Sequence, residues 1–152
     1  MKTVALRTAQ LTDVSQLTEW MTEFNALEGI AFDPARVKPA LEQLLSDGKL
    51  GRVFVLETDA VAAGYAVITW GFDLEWAGRD AYLTELFLRA EVRRQGVGLR
   101  VMELLEAEAR RNDARALHLM VGETNHAAQK LYARRGFTQP KRLFLSKPLS
   151  AA

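Results

Sequence analysis

The segment from residue 81 to residue 112 constrains the fold more than any other part of this chain. An apolar run (AYLTELFLR) fills residues 81–89, and the glycine pair Gly96 and Gly98 follows it. From residue 97 to about residue 112, apolar side chains recur at helical spacing. Two glycines one residue apart let the backbone turn sharply. The pattern predicts a strand that leads through a tight turn into a helix.

A further apolar run at residues 116–121 (ALHLMV) comes directly after that helix. A strand, a helix and a second strand in this order predict a parallel crossover unit. In such units the turn from the first strand into the helix lies at the edge of the sheet where ligands bind. We therefore expect a binding site near residues 93–99.

The remaining segments predict one α/β domain over residues 1–152, with the order β-α-α-β-β-β-α-β-α-β. We expect a mixed, mostly antiparallel sheet of about six to seven strands, flanked by about four helices. The strands are predicted at residues 4–6, 51–57, 61–70, 81–89, 116–121 and 143–146, and the helices at about residues 13–27, 34–46, 97–112 and 127–135. Residues 71–80 are predicted to form a polar and aromatic connection between strands.

The composition of the chain excludes or disfavours several kinds of site and partner. The chain has no cysteine, which excludes disulfides, thiolate nucleophiles and cysteine-bound zinc. Its two histidines do not predict a metal site, and its net charge of +1 does not favour nucleic acid as a partner. No run approaches the roughly 18 apolar residues of a membrane helix, and no signal peptide is recognised. We expect a cytoplasmic protein without membrane contact.

The glycine turn has the properties of an anion site. Gly96 and Gly98 let an anion approach the backbone N–H groups, and the helix that follows adds the partial positive charge of its N-terminus. Arg93 and Arg94 supply cations, so the turn suits a pyrophosphate. A bare G-x-G is a weak motif, and by itself it is more often only a structural turn. Val101 stands where the dinucleotide-binding fingerprint requires a third glycine.

A second cluster lies downstream, in the segment from residue 123 to residue 137. Asn125 and Tyr132 are two helical turns apart, with Ala128 between them, so all three lie on one side of the predicted helix. A small residue between two polar ones leaves a groove for a chain-like ligand. A tyrosine beside that groove has a proton to donate. The alternative is that Tyr132 is a half-buried packing residue.

Together the two motifs resemble the GNAT superfamily of N-acetyltransferases. The matching patterns are R-x-x-G-x-G from residue 93 to residue 98 and N-x-x-A-x-x-L-Y-x-x-x-G-F from residue 125 to residue 137. The resemblance is strongest over residues 81–137. It implies that acetyl-CoA is the acetyl donor, that an amine attacks the thioester directly, and that no metal or acyl-enzyme is needed. It also suggests a homodimer.

The resemblance assigns roles to individual positions. A strand splayed from its parallel neighbour is expected to bind the pantetheine arm, and Tyr132 is expected to protonate the departing thiolate. The expected cofactor-binding residues are Leu86, Phe87 and Leu88 on the strand, Arg93, Arg94, Gln95, Gly96, Val97, Gly98 and Leu99 around the pyrophosphate, and Asn125 and Ala128 beside the pantetheine.

Direct attack requires a neutral amine, so some group must accept a proton. Glu85 is the first candidate, because it lies on the strand beside the expected thioester. Related enzymes often carry adjacent acidic residues here, and Thr84 replaces one of them. A water-relayed proton transfer and an orienting role for Glu85 remain open.

Acidic and aromatic residues occur together in two segments, as Glu23 with Phe24 and as Glu75 with Trp76. Such groups suit a cation, through ion pairing and cation–π contact. We therefore expect a small cationic amine as acceptor, with these four residues around it. A solvated helix face and an exposed loop explain the same composition. Alternatives for the function are acetylation of a protein N-terminus, a lysine or charged tRNA, and a CoA-binding sensor without turnover.

Overall fold

The computed structural model describes residues 1–150 and contains one five-stranded sheet with strands in the order β1-β2-β3-β4-β5. The first four strands pair antiparallel, and β4 pairs with β5 in parallel. The elements in chain order are β1 (Val4–Thr8), α1 (Val14–Glu28), α2 (Pro34–Ser46), β2 (Gly51–Thr58), β3 (Val61–Asp73), β4 (Gly78–Leu88), α3 (Val97–Arg111), β5 (Leu117–Leu119) and α4 (His126–Arg134). Short 3₁₀ turns precede α1 and follow β4.

Local sequence explains where these elements begin and end. Asp33 caps α2 by accepting a hydrogen bond from the N–H of Ala35 at 3.0 Å, and Pro34 occupies the first helical position. The β2–β3 hairpin turns through Asp59 and Ala60, whose φ angles are 49° and 62°. Two successive positive φ angles match the twist of antiparallel strands, as in type I′ turns.

Helices cover both faces of the sheet. On one face α1 and α2 pack on a core that includes Leu17, Tyr65 and Phe87. On the other face α3 packs on a core that includes Ile68 and Leu105, and residues of α4 border it. The prediction of a mixed, mostly antiparallel sheet between helices is confirmed.

The predicted number of strands was too high. Residues 143–146, predicted as the last strand, are not in a strand, and the side chains from residue 138 to residue 150 are exposed. The apolar run at residues 143–145 has a composition that suits a strand, but a strand also needs a neighbouring strand with which to pair.

Residues 71–80 were predicted to be a connection, but most of them lie in strands. β3 continues to Asp73 and β4 already begins at Gly78, so only four residues form the turn. Cross-strand contacts support this extension, since the guanidinium of Arg79 lies 5.5 Å from the ring centroid of Trp70. The prediction of a connection gave too much weight to the charged residues of this segment. Its aromatic residues are typical of strands.

Candidate active site

The two parallel strands separate soon after they meet. Residues 81–83 of β4 pair with residues 117–119 of β5, whereas residues 85–88 of β4 pair only with β3. A cavity of about 590 Å³ opens where the strands diverge. Its lining includes Phe24, Asn25 and Glu28 of α1, Glu85, Leu86 and Leu88 of β4, Arg93, Met120 and Val121, and Asn125, Ala128, Leu131 and Tyr132 around α4.

A β-bulge at Thr84 determines which way Glu85 faces. Leu83 pairs with Ile68 and Glu85 pairs with Val67, so Thr84 has no partner in the register. Such an extra residue shifts the alternation of side chains along a strand. Leu83 accordingly packs in the core beneath α3, whereas Phe87 packs in the core beneath α1 and α2. Glu85, two residues before Phe87, therefore lies on the side of α1.

Glu85 accepts a hydrogen bond from the hydroxyl of Tyr65 at 2.7 Å. Burial raises the pKa of the Glu85 carboxyl, and the hydrogen bond from Tyr65 opposes part of that rise. The hydroxyl of Tyr65 keeps its proton, because burial beside the Glu85 carboxylate raises the pKa of Tyr65. A carboxylate with a raised pKa accepts a proton more readily than an exposed one.

Tyr132 lines the same cavity from α4. Burial, with a contribution from the carboxylate of Glu28, raises the pKa of Tyr132 to about 12. The phenol is therefore protonated near neutral pH and is able to act as a proton donor. Asn125 caps this helix by accepting a hydrogen bond from the N–H of Ala128 at 3.2 Å. The motif residue Asn125 thus positions the helix that carries Tyr132.

The glycine turn presents unbonded backbone N–H groups. Within residues 1–150, the N–H groups from residue 94 to residue 99 donate no hydrogen bond to another protein group. Arg94 and Gly96 have φ angles of 58° and 75°, so the turn includes two left-handed residues. Val97 is buried and packs in the core beneath α3. These N–H groups and the N-terminus of α3 form a site suited to an anion.

Gly98 has a packing role as well. A Cβ atom at this position would lie 3.2 Å from Cδ2 of Leu131 on α4 and 3.8 Å from Cδ1 of Leu88 on β4. The missing side chain lets the first turn of α3 approach α4 and the end of β4. Gly98 is therefore needed for packing, and its role in binding an anion stays a prediction.

Arg93 ties the turn to the end of β4. Its Nε donates a hydrogen bond to the carbonyl of Leu88 at 2.6 Å, and its guanidinium lies 5.6 Å from the ring centroid of Phe87. Gln95 donates from its amide to the carbonyl of Glu91 at 2.7 Å. Phe87 is buried in the core beneath α1 and α2, and the lining of the cavity contains its neighbours Leu86 and Leu88 but not Phe87.

The structure brings only one of the four expected acceptor residues to the cavity. Phe24 lines it and packs edge-on against Tyr65, with ring centroids 6.4 Å apart. Glu23 is exposed on α1 outside the lining. Glu75 and Trp76 lie at the β3–β4 turn, also outside the lining. The assignment of Glu23, Glu75 and Trp76 to the acceptor stays a prediction.

The sequence did not identify Tyr65 as a partner of Glu85. Tyr65 lies in an apolar strand, where a tyrosine is typical of the core, and its contact with Glu85 depends on the bulge at Thr84. Glu28, a further acidic residue of the helix that carries Glu23 and Phe24, also lines the cavity.

Among residues 1–150, no three His, Asp or Glu side chains are grouped so that they could hold a metal ion. None of the helices in the same range combines the length and the apolar character needed to cross a bilayer.

Comparisons with known proteins found a matching family and similar proteins. The model of the acetyltransferase (GNAT) family matches residues 14–137. An uncharacterized N-acetyltransferase of Archaeoglobus fulgidus is 32% identical over 80% of this chain and 84% of its own length. A Bacillus subtilis protein named “putative ribosomal protein bS18-alanine N-acetyltransferase” is 29% identical over 90% of this chain and 82% of its own length.

A solved structure is similar over nearly the whole chain. The crystal structure of a “predicted acetyltransferase with acetyl-CoA” from Clostridium acetobutylicum superimposes with a TM-score of 0.79 and 17% identity, and covers 95% of this chain and 96% of that one. At this identity the likeness concerns the fold.

Replacing Tyr65 by phenylalanine should raise the pKa of Glu85 further. The hydrogen bond from Tyr65 stabilises the charged carboxylate, so its loss favours the protonated form. Carbon-13 NMR titration of the Glu85 carboxyl measures the change. Tyr82→Phe is the matched control, because the buried Tyr82 hydroxyl has no hydrogen-bond partner within residues 1–150. An unchanged or lowered pKa in Tyr65→Phe would contradict the assigned interaction.

Proposed function

Because the chain belongs to the acetyltransferase (GNAT) family, we propose that it transfers the acetyl group of acetyl-CoA to a small cationic amine. The amine attacks the thioester directly. Glu85 serves as the proton acceptor and Tyr132 as the proton donor.

The observation that carries this proposal is the pairing of Glu85 and Tyr132 across one cavity. Both residues line the space where β4 and β5 diverge. Burial gives the carboxyl a raised pKa and holds the phenol protonated, with a pKa of about 12. Two titratable groups in one site with well-separated pKa values are the arrangement that acid–base catalysis requires.

The backbone supports acetyl-CoA as the donor. Residues 86–88 pair with β3 on one side only, so alternate N–H and C=O groups face the divergence and are free for the amides of a pantetheine arm. Arg93 lines the cavity, and the glycine turn follows Arg93 directly in the chain. There the unbonded N–H groups of residues 94–99 suit the pyrophosphate, and Arg94 and Arg100 add positive charge nearby.

The chain's residues then divide the reaction into two proton transfers. As the amine nitrogen bonds to the acetyl carbon, Glu85 takes the proton that the nitrogen releases, directly or through a water molecule. As the bond between carbon and sulfur breaks, Tyr132 gives its proton to the leaving thiolate. The products are an amide and CoA, and the proton balance is restored when Glu85 releases its proton to solvent and Tyr132 takes one up.

The acceptor side of the cavity favours a cation. Glu28 and Glu85 supply carboxylates, and Phe24 supplies an aromatic ring in the same lining. A protein N-terminus is the second candidate, because the Bacillus subtilis relative is named for an alanine of a ribosomal protein. A panel of polyamines and of peptides beginning with alanine, assayed by CoA release, separates the two. Turnover of the peptides alone would favour the second candidate.

Gly96→Glu should weaken acetyl-CoA binding by about 100-fold or more. The substitution places a negative charge where the pyrophosphate is expected, and juxtaposed like charges cost several kcal/mol, with each 1.4 kcal/mol worth about tenfold. Isothermal titration calorimetry with acetyl-CoA, and with ATP and NAD as competitors, measures the effect. Gly136→Glu is the control, since Gly136 also has a positive φ and open space around it. Equal affinities in both variants would refute the pyrophosphate site.

Tyr132→Phe should lower kcat by roughly 10²- to 10⁴-fold, the usual contribution of a positioned acid or base.

Glu85→Gln should lower kcat on the same scale and remove a decline in kcat that the unmodified enzyme shows toward low pH. This decline follows from the raised pKa of Glu85, because the carboxyl accepts a proton only above that pKa. The pH profile of kcat for the best amine measures both effects. If the pH profile of Glu85→Gln is unchanged, Glu85 is not the base, and a water molecule accepts the proton of the amine instead.

A further inference from the structure

A second cavity, which we call the arginine cleft, lies at the C-terminal end of α3. Its volume is about 590 Å³, and its lining includes Phe72, Gly78, Arg79, Arg110, Asp113 and Arg115. None of these residues lines the cavity of the candidate active site. The glycine turn precedes α3 and the cleft lies at its other end, so a helical rise of about 1.5 Å per residue separates the two by about 20 Å.

The three arginines of the cleft come from three separate segments. Arg79 is on β4, Arg110 is in the last turn of α3, and Arg115 comes shortly before β5. The backbone N–H of Arg115 donates a hydrogen bond to the carbonyl of Arg79 at 2.9 Å, which makes these two residues neighbours. The fold therefore brings cations together that no local run of charge would produce.

Gly78 makes room for one of these arginines. A Cβ atom at Gly78 would lie 3.0 Å from Nε and 3.2 Å from Cδ of Arg115. Any larger residue would push the Arg115 side chain away from β4. The missing side chain thus lets the guanidinium lie directly against the strand, at the wall of the cleft.

The positive charge of the cleft is only partly compensated. Arg110 is 3.8 Å from Glu106, but the Arg110 side chain is 73% exposed, and such surface pairs contribute little. Within residues 1–150, Arg79 and Arg115 form no ion pair with a carboxylate. Asp113 opposes one of the three positive charges in the lining.

The end of α3 carries a partial negative charge that would repel an anion. Arg110 and Arg111 lie in the last turn, and Nη1 of Arg79 donates to the carbonyl of Asn112 at 3.4 Å. These cations offset the partial charge of the helix end. The side chain of Arg115 takes no part in this and donates no hydrogen bond to another group within residues 1–150, so it is available to a ligand.

An aromatic ring forms a further wall of the cleft. Phe72 of β3 pairs with Arg79 of β4 in the register, so their side chains lie next to each other on one face of the sheet. The side chain of Phe72 is 75% exposed. An uncovered ring beside a group of cations suits a ligand that has both a planar ring and negative charge.

We propose that the arginine cleft binds a nucleotide. The guanidinium groups of Arg79, Arg110 and Arg115 bind the phosphate oxygens, which match the planar fork of arginine. The base stacks on Phe72, and the carboxylate of Asp113 accepts hydrogen bonds from the ribose hydroxyls. An inorganic anion would use the arginines alone. The cleft is separate from the expected acetyl-CoA site, so this proposal does not rest on the proposed function.

Calorimetric titration with ADP tests the site, first in protein saturated with acetyl-CoA. One ADP should bind per chain. Arg110→Gln/Arg115→Gln should weaken ADP binding by about 100-fold, because each lost charge-assisted hydrogen bond is worth about tenfold or more. The matched control is Arg36→Gln/Arg134→Gln, which removes the same charge from two exposed arginines elsewhere and should keep the affinity. Circular dichroism checks that all variants are folded.

Three results of these titrations would overturn the proposal. The first is that ADP does not bind to protein saturated with acetyl-CoA. The second is that both double variants lose the same affinity, since the attraction then depends on net charge alone. The third is that Gly96→Glu, titrated without acetyl-CoA, abolishes ADP binding, since ADP then occupies the glycine turn. The proposal predicts that Gly96→Glu leaves ADP binding unchanged, even if acetyl-CoA does not bind at that turn.

The contribution of the ring is tested by comparing ADP with inorganic pyrophosphate. Phe72→Ala should weaken ADP binding by about tenfold, within the range for stacking of a base on an aromatic side chain, and leave pyrophosphate binding unchanged. Leu74→Ala is the control, because Leu74 is 85% exposed on the same hairpin but lies outside the lining. If Phe72→Ala binds ADP as tightly as the unmodified protein does, the ligand is not held by its base and the assignment of a nucleotide is wrong.

Discussion

The brevity of the pairing between β4 and β5 is the constraint on which the site depends. Parallel strands normally satisfy one another's backbone groups along their length. Here the register lasts for three residues, and the bulge at Thr84 begins where it ends. The departure of β5 opens the cavity and frees one side of residues 86–88. It also lets α4 bring Tyr132 to the opening that Glu85 faces.

Burial is the physical cause of the chemistry that this geometry supports. The same removal from water raises the pKa of the Glu85 carboxyl and of the Tyr132 phenol, but with opposite consequences. The Glu85 carboxylate becomes a better proton acceptor, whereas the Tyr132 phenol stays protonated. Tyr65 and Glu28 modulate these two groups from β3 and α1. Tyr65 belongs to the core beneath α1 and α2, whereas Tyr132 borders the core beneath α3, so groups from both faces of the sheet act on the lining of one cavity.

Much of this arrangement could be predicted from the sequence, because its determinants are local. The glycine turn before α3, the cap at Asn125 and the spacing to Tyr132 are all encoded within a few residues. The bulge at Thr84 was not predictable, since it arises from the register between β3 and β4. Its consequence, the contact of Tyr65 with Glu85, was therefore missed. Residues 143–146 have the composition of a strand, but the pairing of a strand depends on a neighbour that no local pattern specifies.

A crystal structure of the protein with acetyl-CoA would show whether the diverging strands and the glycine turn bind the cofactor. The pantetheine arm should lie between the diverging ends of β4 and β5, hydrogen-bonded to the backbone of residues 86–88. The pyrophosphate should lie at the N–H groups of residues 94–99, and the sulfur beside the hydroxyl of Tyr132. Acetyl-CoA bound elsewhere, for example in the cleft that Arg79, Arg110 and Arg115 line on another part of the surface, would contradict this placement.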